Sequence, residues 1–461
     1  MKKLVVLIIS FVMGALTAQA QQTIAGEWKG AIIIQGQQLG VIFNIDGEPG
    51  DYSGTLDIPM QGAMGLPLTR VEQKADSAFF TFFAGQANGE FKGTFSSDSL
   101  IAGTYSQGPA SFPFEIKKQS SSGEVKIVPG EGEDLIIQGD EVEIGGTLVY
   151  PEGVNNAPLV ILISGSSAQN RDSNIFEFKI FAEIAEHLKA QGIASFRFDD
   201  RQVGESTGNF MNTTLDMLAG DVVSIIDYLT AMEGKSFGEV ILLGHSQGGV
   251  VAGKVASENK DVDQLILMAS TGVPLKEILR FQVKQGFGEG IHDEQDVDKE
   301  IALREEMMAA IRDGKELDSV KNEYVNHYKS MLENLSEQQK SRIPDINTFA
   351  QQQVQQLVAY YSTPQLQSLL FYDPAEDLSE LEIPVLVLFG EKDTQVTEQM
   401  NRVPITNALD DAGVKYKVSV LAGGNHLFQK ANTGQVSEYP MLDKRFTDSF
   451  LKTISSWITK N

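Results

Sequence analysis

The segment Gly244-His245-Ser246-Gln247-Gly248 constrains this chain more than any other, because of what lies on either side of it. The apolar run 239–243 leads directly into it, and a helix-like stretch follows from Val250 to Ser257. A strand, a G-x-S-x-G turn and a helix, in this order, expose a serine hydroxyl at a sharp turn where a neighbouring base can take its proton. The pattern therefore predicts Ser246 as a nucleophile at a strand-to-helix turn.

A nucleophilic serine needs a base, and the base needs an acid that orients it. Asp393 comes three residues after the apolar run 386–390, and His426 follows the run 418–421 in a glycine-containing loop. The order Ser, Asp, His predicts a triad of Ser246, Asp393 and His426. Glu391, two residues before Asp393, is the alternative acid. His245 is expected to pack against the turn or to orient it, because adjacent side chains on the backbone point apart.

Acyl transfer also requires donors for the oxyanion of the tetrahedral intermediate. The backbone N–H of Gln247, at the start of the helix after the nucleophile, is the first expected donor. The second is expected in the loop 164–172, which follows another apolar run and contains Gly165. The N–H of Ser166 is the candidate, with Ser167 as the alternative. Asn170, Arg171 and Asp172 are expected to anchor this loop rather than to touch substrate.

Residues 21–118 differ in character from the rest of the chain. Short alternating stretches recur about every ten residues and are broken by Gly, Asp, Asn and Ser, which is typical of antiparallel hairpins. The pattern predicts a small all-β domain, a barrel or curled sheet of roughly eight strands. Residues 119–133, rich in Gly, Ser and charge, are predicted to form a linker. Six stretches are apolar enough to assign as strands: Glu27 to Ile34, Gly40 to Ile45, Tyr52 to Ile58, Ser77 to Phe83, Gly89 to Phe95 and Ile101 to Tyr105.

From residue 134 to 461, apolar runs alternate with amphipathic segments. This alternation predicts an α/β domain with a largely parallel sheet and helices on both faces. The alternation is interrupted at 272–375, an interval that is polar, has helical patterns and contains no strand-like apolar runs. An interval of this length must have structure of its own. We expect a helical cap over the carboxyl edge of the sheet, where such sheets bind ligands.

The amino terminus and the charge of the chain bear on its location and partners. Lys2-Lys3, an apolar run from Leu4 to Leu16 and the small-residue site 18–20 predict a signal peptide over residues 1–20 and export to the periplasm or beyond. The run is too short for a membrane anchor. A net charge of −25 argues against nucleic acid as a partner. The chain contains no cysteine, so it forms no disulfide.

The remaining polar motifs point to no metal and no cofactor. The loop Asp199–Gly208 begins with two acids, but no histidine or further carboxylate set accompanies them, so we interpret it as a hydrogen-bonded loop that supports the turn at Ser246. Neither a dinucleotide glycine fingerprint nor a phosphate loop is present, because Gly244–Gly249 lacks the Lys-Ser/Thr ending.

Together these motifs carry a family resemblance over residues 134–461. The chain resembles the α/β-hydrolase superfamily, in particular exported bacterial esterases that are also described as serine aminopeptidase-like hydrolases. Its Ser164-Gly165-Ser166 departs from the commoner His-Gly start of the oxyanion loop. The resemblance implies hydrolysis of carboxylic esters through an acyl-enzyme. The motifs concerned are Ser164–Ser166 with Arg171-Asp172, Asp200-Arg201 with Gly204–Gly208, Gly244–Gly249, Gly390–Asp393 and Asn425–Phe428.

The sequence thus predicts a serine hydrolase that acts on a small-molecule ester. A peptidase that cleaves short peptides is the first alternative, since it would use the same machinery. A non-catalytic protein that binds glycan or lipid on the β domain is the second.

Overall fold

The computed structural model describes two stretches of the chain. The first is 23–118, apart from 35–36, 59–62, 85–86, 98 and 108–109; the second is 132–460, apart from 286–293, 335–339, 341–342 and 344. The predicted signal peptide and residues 119–131 of the predicted linker lie outside the described residues. The chain divides into two compact units, Met1–Gly123 and Glu124–Asn461.

Among the described residues of the first unit, eight antiparallel strands form a closed barrel, which confirms the predicted all-β domain. Each strand pairs with the next, and β1 also pairs with β8 to close the sheet. The strands are β1 (Gly26–Ile34), β2 (Gln37–Glu48), β3 (Asp51–Ile58), β4 (Ala63–Lys74), β5 (Ser77–Ala84), β6 (Ala87–Ser97), β7 (Leu100–Gln107) and β8 (Ala110–Lys118).

Aromatic side chains fill the interior of this barrel. The ring of Phe91 lies 4.9 Å from that of Phe43, 4.5 Å from that of Tyr105 and 5.1 Å from that of Phe114, measured between centroids. The buried Trp28 donates from its indole nitrogen to the carbonyl of Ile24 at 2.8 Å. Because inward-facing residues alternate along each strand, the period-two pattern of the sequence corresponds directly to this core.

The second unit is built on a mixed sheet, and the predicted α/β class is confirmed. Among the described residues its order is β18-β17-β16-β15-β11-β14-β10-β9. The six strands from β18 to β14 are parallel, whereas β10 and β9 are antiparallel additions at one edge. The strands are β9 (Glu133–Gln138), β10 (Glu143–Val149), β11 (Ala157–Ile163), β14 (Ala194–Phe198), β15 (Phe237–His245), β16 (Gln264–Met268), β17 (Val385–Gly390) and β18 (Tyr416–Leu421).

Helices cover both faces of this sheet, which is why its central strands are apolar along their whole length. On one face lie α1 (Ile180–Ala190) and the C-terminal α11 (Phe450–Ile458). On the other face lie α2 (Leu215–Thr230), α3 (Gln247–Glu258) and α10 (Glu398–Ala412).

The first of these helices, α1, begins only at Ile180, because a short hairpin precedes it. Residues 174–179 form a small hairpin of β12 (Asn174–Ile175) and β13 (Phe178–Lys179). Phe176 and Glu177 make its turn with φ of 50° and 67°, which helical geometry excludes.

The interval between β16 and β17 contains helices with a small core of their own. Tyr324, Tyr361 and Met307 are among the side chains buried in that core. Ser368 accepts a hydrogen bond at 2.9 Å from the backbone N–H of Leu215, at the start of α2. Within the described residues no helix is long and apolar enough to cross a membrane. The helices of the interval are α4 (Leu275–Lys284), α5 (Glu294–Arg312), α6 (Asp318–Glu333), α7 (Ile346–Tyr361), α8 (Pro364–Leu370) and α9 (Pro374–Ser379).

Candidate active site

Ser246 lies at the turn between β15 and α3, at the carboxyl edge of the parallel strands. Its φ of 54° and ψ of −120° are unusual for a residue that carries a side chain, so the surrounding structure must hold this conformation. The Ser246 N–H donates to the carbonyl of Met268 at 2.9 Å, and its carbonyl accepts from the N–H of Gly249 at 3.0 Å. These two bonds fix the backbone on either side of a half-buried hydroxyl residue.

The glycines of the motif are required by close backbone contacts. A Cβ on Gly248 would lie 2.3 Å from the carbonyl oxygens of both Ile163 and Ser164. A Cβ on Gly244 would lie 2.2 Å from the carbonyl oxygen of Gly248. Only residues without a side chain let the helix start this close to β15 and to the end of β11.

Asp393 and His426 are in direct contact, although 33 positions separate them in the sequence. His426 Nδ1 lies 2.8 Å from Asp393 Oδ2, and both side chains are buried. The other oxygen, Oδ1, accepts the backbone N–H groups of Gln395 at 2.8 Å and Val396 at 2.9 Å. Since a carboxylate accepts, the proton of a neutral His426 belongs on Nδ1 and the lone pair on Nε2.

Glu391, the alternative acid, faces elsewhere. Its Oε2 accepts the N–H of Gly423 at 2.7 Å and so supports the loop that leads to His426. The structure thus brings Asp393, rather than Glu391, to the imidazole.

His245 links the turn at Ser246 to the loop of His426. Its Nε2 lies 3.1 Å from the main-chain carbonyl oxygen of His426, and the two rings are 4.8 Å apart between centroids. Burial lowers the pKa of His245 to about 3, and the neighbouring His426 contributes to this shift. His245 is therefore neutral near pH 7.

Tyr439 is a contact of this site that the sequence did not indicate. It lies in a 3₁₀ turn, Val436–Met441, and is fully buried. Its hydroxyl accepts from Gln395 Nε2 at 3.2 Å, and the main chain at His426 lowers its pKa slightly against the effect of burial. Burial raises the pKa of Tyr439 well above its usual value. A lone tyrosine near the C-terminus has no motif around it, so no sequence signal would have identified it.

The two expected oxyanion donors, Gln247 and Ser166, belong to segments that meet at Ser246. Gln247 is the first residue of α3, where backbone N–H groups lack partners within the helix. Ser166 follows Gly165, and a Cβ on Gly165 would lie 3.3 Å from the Cβ of Ser246. The carbonyl of Ser166 accepts from Gln169 Nε2 at 3.0 Å. Ser167, the alternative donor, is exposed and has a φ of 68°.

The residues expected to anchor the loop 164–172 make polar contacts with other segments. Arg171 and Asp172 are buried, and Asp172 accepts from Arg197 Nε at 2.9 Å. Asn170 accepts from the N–H of Asn174 at 3.3 Å. Over the described ranges, no group of three or more His, Asp or Glu side chains is arranged to hold a metal ion.

Gln365, from α8 of the interval between β16 and β17, reaches the site. Its Nε2 lies 3.4 Å from Oε1 of Gln247, the residue after the predicted nucleophile, and its side chain is buried. This contact places one helix of the predicted cap against the site.

Comparison with known proteins finds chains that resemble this one in part. Esterase EstD from Thermotoga maritima is 25% identical over 336 residues, which is 72% of this chain and 68% of that protein. Among solved structures, the Pyrococcus furiosus esterase PF2001 matches with a TM-score of 0.43 and 13% identity, covering 73% of this chain and 92% of that one. Est1E from Butyrivibrio proteoclasticus, with ferulic acid bound, matches with a TM-score of 0.40 and 15% identity, covering 71% and 96%.

The sequence profile of the family described as "alpha/beta hydrolase fold" matches residues 158–431, more than half of the chain. This span runs from β11 to the loop after His426 and includes the turn at Ser246. The chain belongs to the α/β-hydrolase fold family.

Proposed function

We propose that this protein is a serine hydrolase that cleaves carboxylic esters through an acyl-enzyme on Ser246. The observation that carries the proposal is the 2.8 Å contact between Asp393 and His426, in a loop that His245 joins to the strained turn at Ser246. The similarity to an esterase over 72% of the chain supports an ester as the substrate.

In the acylation step, Ser246 Oγ attacks the ester carbonyl carbon while His426 Nε2 takes the hydroxyl proton. The negative charge moves to the former carbonyl oxygen, which the N–H groups of Gln247 and Ser166 stabilise. Asp393 holds the imidazole in the required tautomer and stabilises its cation. The intermediate then collapses: the bond to the alcohol oxygen breaks, and Nε2 returns the proton to that oxygen.

In the deacylation step, a water molecule replaces the alcohol. His426 Nε2 takes a proton from the water as its oxygen attacks the acyl carbon, and the same two N–H groups receive the oxyanion. Collapse breaks the bond to Ser246 Oγ, which regains its proton from Nε2. The products are the carboxylic acid and the free enzyme, so no further reactant is consumed.

A substrate panel tests the ester assignment. We expect p-nitrophenyl esters of short acyl chains to be hydrolysed, and a series graded by acyl length, with aromatic acyl groups included, to define the preference. Aminoacyl p-nitroanilides test the alternative, a peptidase on short peptides, because their hydrolysis releases coloured p-nitroaniline. Anilide turnover without ester turnover would reverse the assignment.

Covalent labelling tests the acyl-enzyme and the third interpretation, a protein that only binds ligands. A fluorophosphonate probe should add one phosphonyl group per chain, and peptide mass analysis should locate it on Ser246. The Ser246→Ala variant is the matched control and should remain unlabelled. A wild-type protein that stays unlabelled would favour non-catalytic binding.

A further inference from the structure

Two adjacent carboxylates, Asp199 and Asp200, follow β14 directly and are almost completely buried, with 3% and 6% of their surfaces exposed. From the sequence we interpreted them as part of a loop that supports the turn at Ser246. In the structure their side chains instead contact the segment 164–171, which we call the oxyanion loop because it contains the expected donor Ser166.

Asp200 binds this loop near both of its ends. The hydroxyl of Ser164 donates at 2.8 Å to each of its two carboxylate oxygens. The backbone N–H of Gln169 donates to Oδ2 at 2.8 Å, and the N–H of Asp200 donates back to the carbonyl of Gln169 at 2.9 Å. Only residues 165–168 lie between these two attachment points.

Asp199 fixes the end of the same loop. Its Oδ1 accepts the N–H of Arg171 at 2.8 Å, and its Oδ2 accepts Nε and Nη2 of that residue at 3.1 and 2.6 Å. The N–H of Glu205 also donates to Oδ2 at 3.1 Å. A Cβ on Gly204 would lie 2.3 Å from Oδ2, so this close approach requires glycine.

The oxyanion loop in turn lies against the predicted nucleophile. A Cβ on Gly165 would be 3.3 Å from the Cβ of Ser246 and 3.3 Å from the carbonyl oxygen of His245. The carbonyl of Ser164 is in tight contact with Gly248, at the start of α3. An oxyanion donor acts only within about 2.7–3.1 Å of the developing charge, so a small displacement of Ser164 or Gly165 would weaken it.

An ionised carboxylate is costly at this position. Burial raises the pKa of Asp200 to about 7, whereas the hydrogen bonds from Gln169 and Ser164 lower it and the nearby Asp199 and Asp221 raise it again. The two neighbouring acids are themselves paired, Asp199 with Arg171 and Asp221 with Arg201. Among the described residues, Ser164 and Gln169 rather than a cation donate hydrogen bonds to the Asp200 side chain. A buried acid held in this way beside a candidate active site indicates a functional constraint.

We propose that Asp200 is a positioning residue for ester hydrolysis: by binding Ser164 and Gln169 it holds the Ser166 N–H at the oxyanion. The inference rests on the proposed function. Asp200 does not touch substrate in this account. It acts by holding Ser164 in place. Because Ser164 directly precedes Gly165 and Ser166, its position fixes where these two residues lie.

The test is a set of variants measured with an ester substrate and with a boronic acid, which forms a tetrahedral adduct on a nucleophilic serine. For Asp200→Ala we expect kcat to fall about 10- to 100-fold with little change in KM, as for a misplacement of about 1 Å. Affinity for the boronic acid should fall by the same factor as kcat/KM, because both require the oxyanion donors. Binding of the unreactive amide analogue of the substrate should be unchanged.

Asp200→Asn and Ser164→Ala separate positioning from general support of the fold. The amide can still accept from Gln169, so this variant changes mainly the contact with Ser164. We expect the two substitutions to be non-additive, with the double variant losing no more kcat than the worse single variant. If Asp200→Ala does not fold, the two single variants and the double variant test the proposal by the same comparison of kcat and boronic acid affinity.

Asp221→Asn is the matched control, a buried acid on α2 that contacts Arg201 at 2.7 Å rather than the oxyanion loop. It should lower the thermal midpoint while kcat stays within about twofold. The proposal is overturned if kcat and boronic acid affinity are unchanged in the Asp200 variants, or if the Asp200 and Ser164 effects are additive. A wild-type protein that neither turns over esters nor reacts with fluorophosphonate would contradict the proposed function itself, which is a distinguishable failure.

Discussion

His245 donates from Nε2 to the main-chain carbonyl of His426 at 3.1 Å and thereby ties the turn of the predicted nucleophile to the loop of the predicted base. A carbonyl oxygen only accepts, so Nε2 carries the hydrogen and Nδ1 is left as an acceptor. With its pKa lowered by burial to about 3, this imidazole is neutral near pH 7. His245 is thus a neutral link between two loops and is unsuited to act as the base.

The lowered pKa of His245 makes the protein sensitive to acid. The unfolded chain binds a proton near pH 6.5, while the folded protein binds it only near pH 3, so stability falls as the pH decreases between these values. We expect His245→Gln, which keeps a donor, to flatten this dependence by up to about 1.4 kcal/mol per pH unit. Urea denaturation at several pH values between 4 and 7 measures the free energy of unfolding and its dependence on pH. An unchanged slope in His245→Gln would contradict the expectation.

Replacing Ser246 with alanine should abolish ester turnover without unfolding the protein. The loss of the nucleophile is expected to reduce kcat by on the order of 10⁴- to 10⁶-fold. Only one half-buried hydroxyl is removed, so the thermal midpoint should stay within a few degrees of that of the wild type. Turnover and thermal unfolding are measured on the same preparation. Activity within about tenfold of the wild type would refute the assignment.

Asp393 and Glu391 form a natural matched pair for identifying the acid. Asp393→Asn should reduce kcat about 10³- to 10⁴-fold, because an amide that faces Nδ1 favours the wrong tautomer of His426. Glu391→Gln can still accept the N–H of Gly423, so we expect kcat within about threefold of the wild type. Steady-state kinetics on both variants checks this order, and the reverse order would move the acid to Glu391.

Gly248 and Gly220 should respond to alanine in opposite directions. At Gly248 the new methyl group would meet two carbonyl oxygens at 2.3 Å, so we expect a loss of about 1–3 kcal/mol in the free energy of unfolding. At Gly220, inside α2, a Cβ meets nothing within 4 Å. That variant should gain about 0.5–1 kcal/mol from helix propensity. Equal effects in chemical denaturation would disprove the packing explanation.

Most of the fold could be predicted because its elements have strong local patterns. The six parallel strands read as apolar runs, and six strands of the barrel alternate with period two. The barrel strands β4 and β8 were not assigned individually, because Arg70, Glu72 and Pro113 interrupt their patterns. Both strands lack a clear sequence pattern, and pairing with their neighbours in the closed barrel fixes them instead. Pro113 of β8, for example, lies opposite Thr104 of β7. The edge strand β9 is short and mostly exposed, so few of its residues are apolar and its sequence does not stand out as a strand.

For the candidate site, local sequence was sufficient to select Ser246, Asp393 and His426, since each follows a strand whose carboxyl end must lie at one edge of a parallel sheet. Glu391 stayed as the alternative acid beside the predicted Asp393, because both follow the same strand. The contact with Tyr439 was absent from the prediction altogether.

Chain order and strand patterns alone were enough to define the serine turn, the sequence of candidate residues and the α/β class, because these depend on spacing within a few residues. The contacts of His245 with His426, of Asp393 rather than Glu391 with the imidazole, and of Asp200 with the oxyanion loop emerged only in three dimensions. Each joins loops that are far apart in the chain, and the direction of a loop side chain depends on packing against other strands, which no local pattern records.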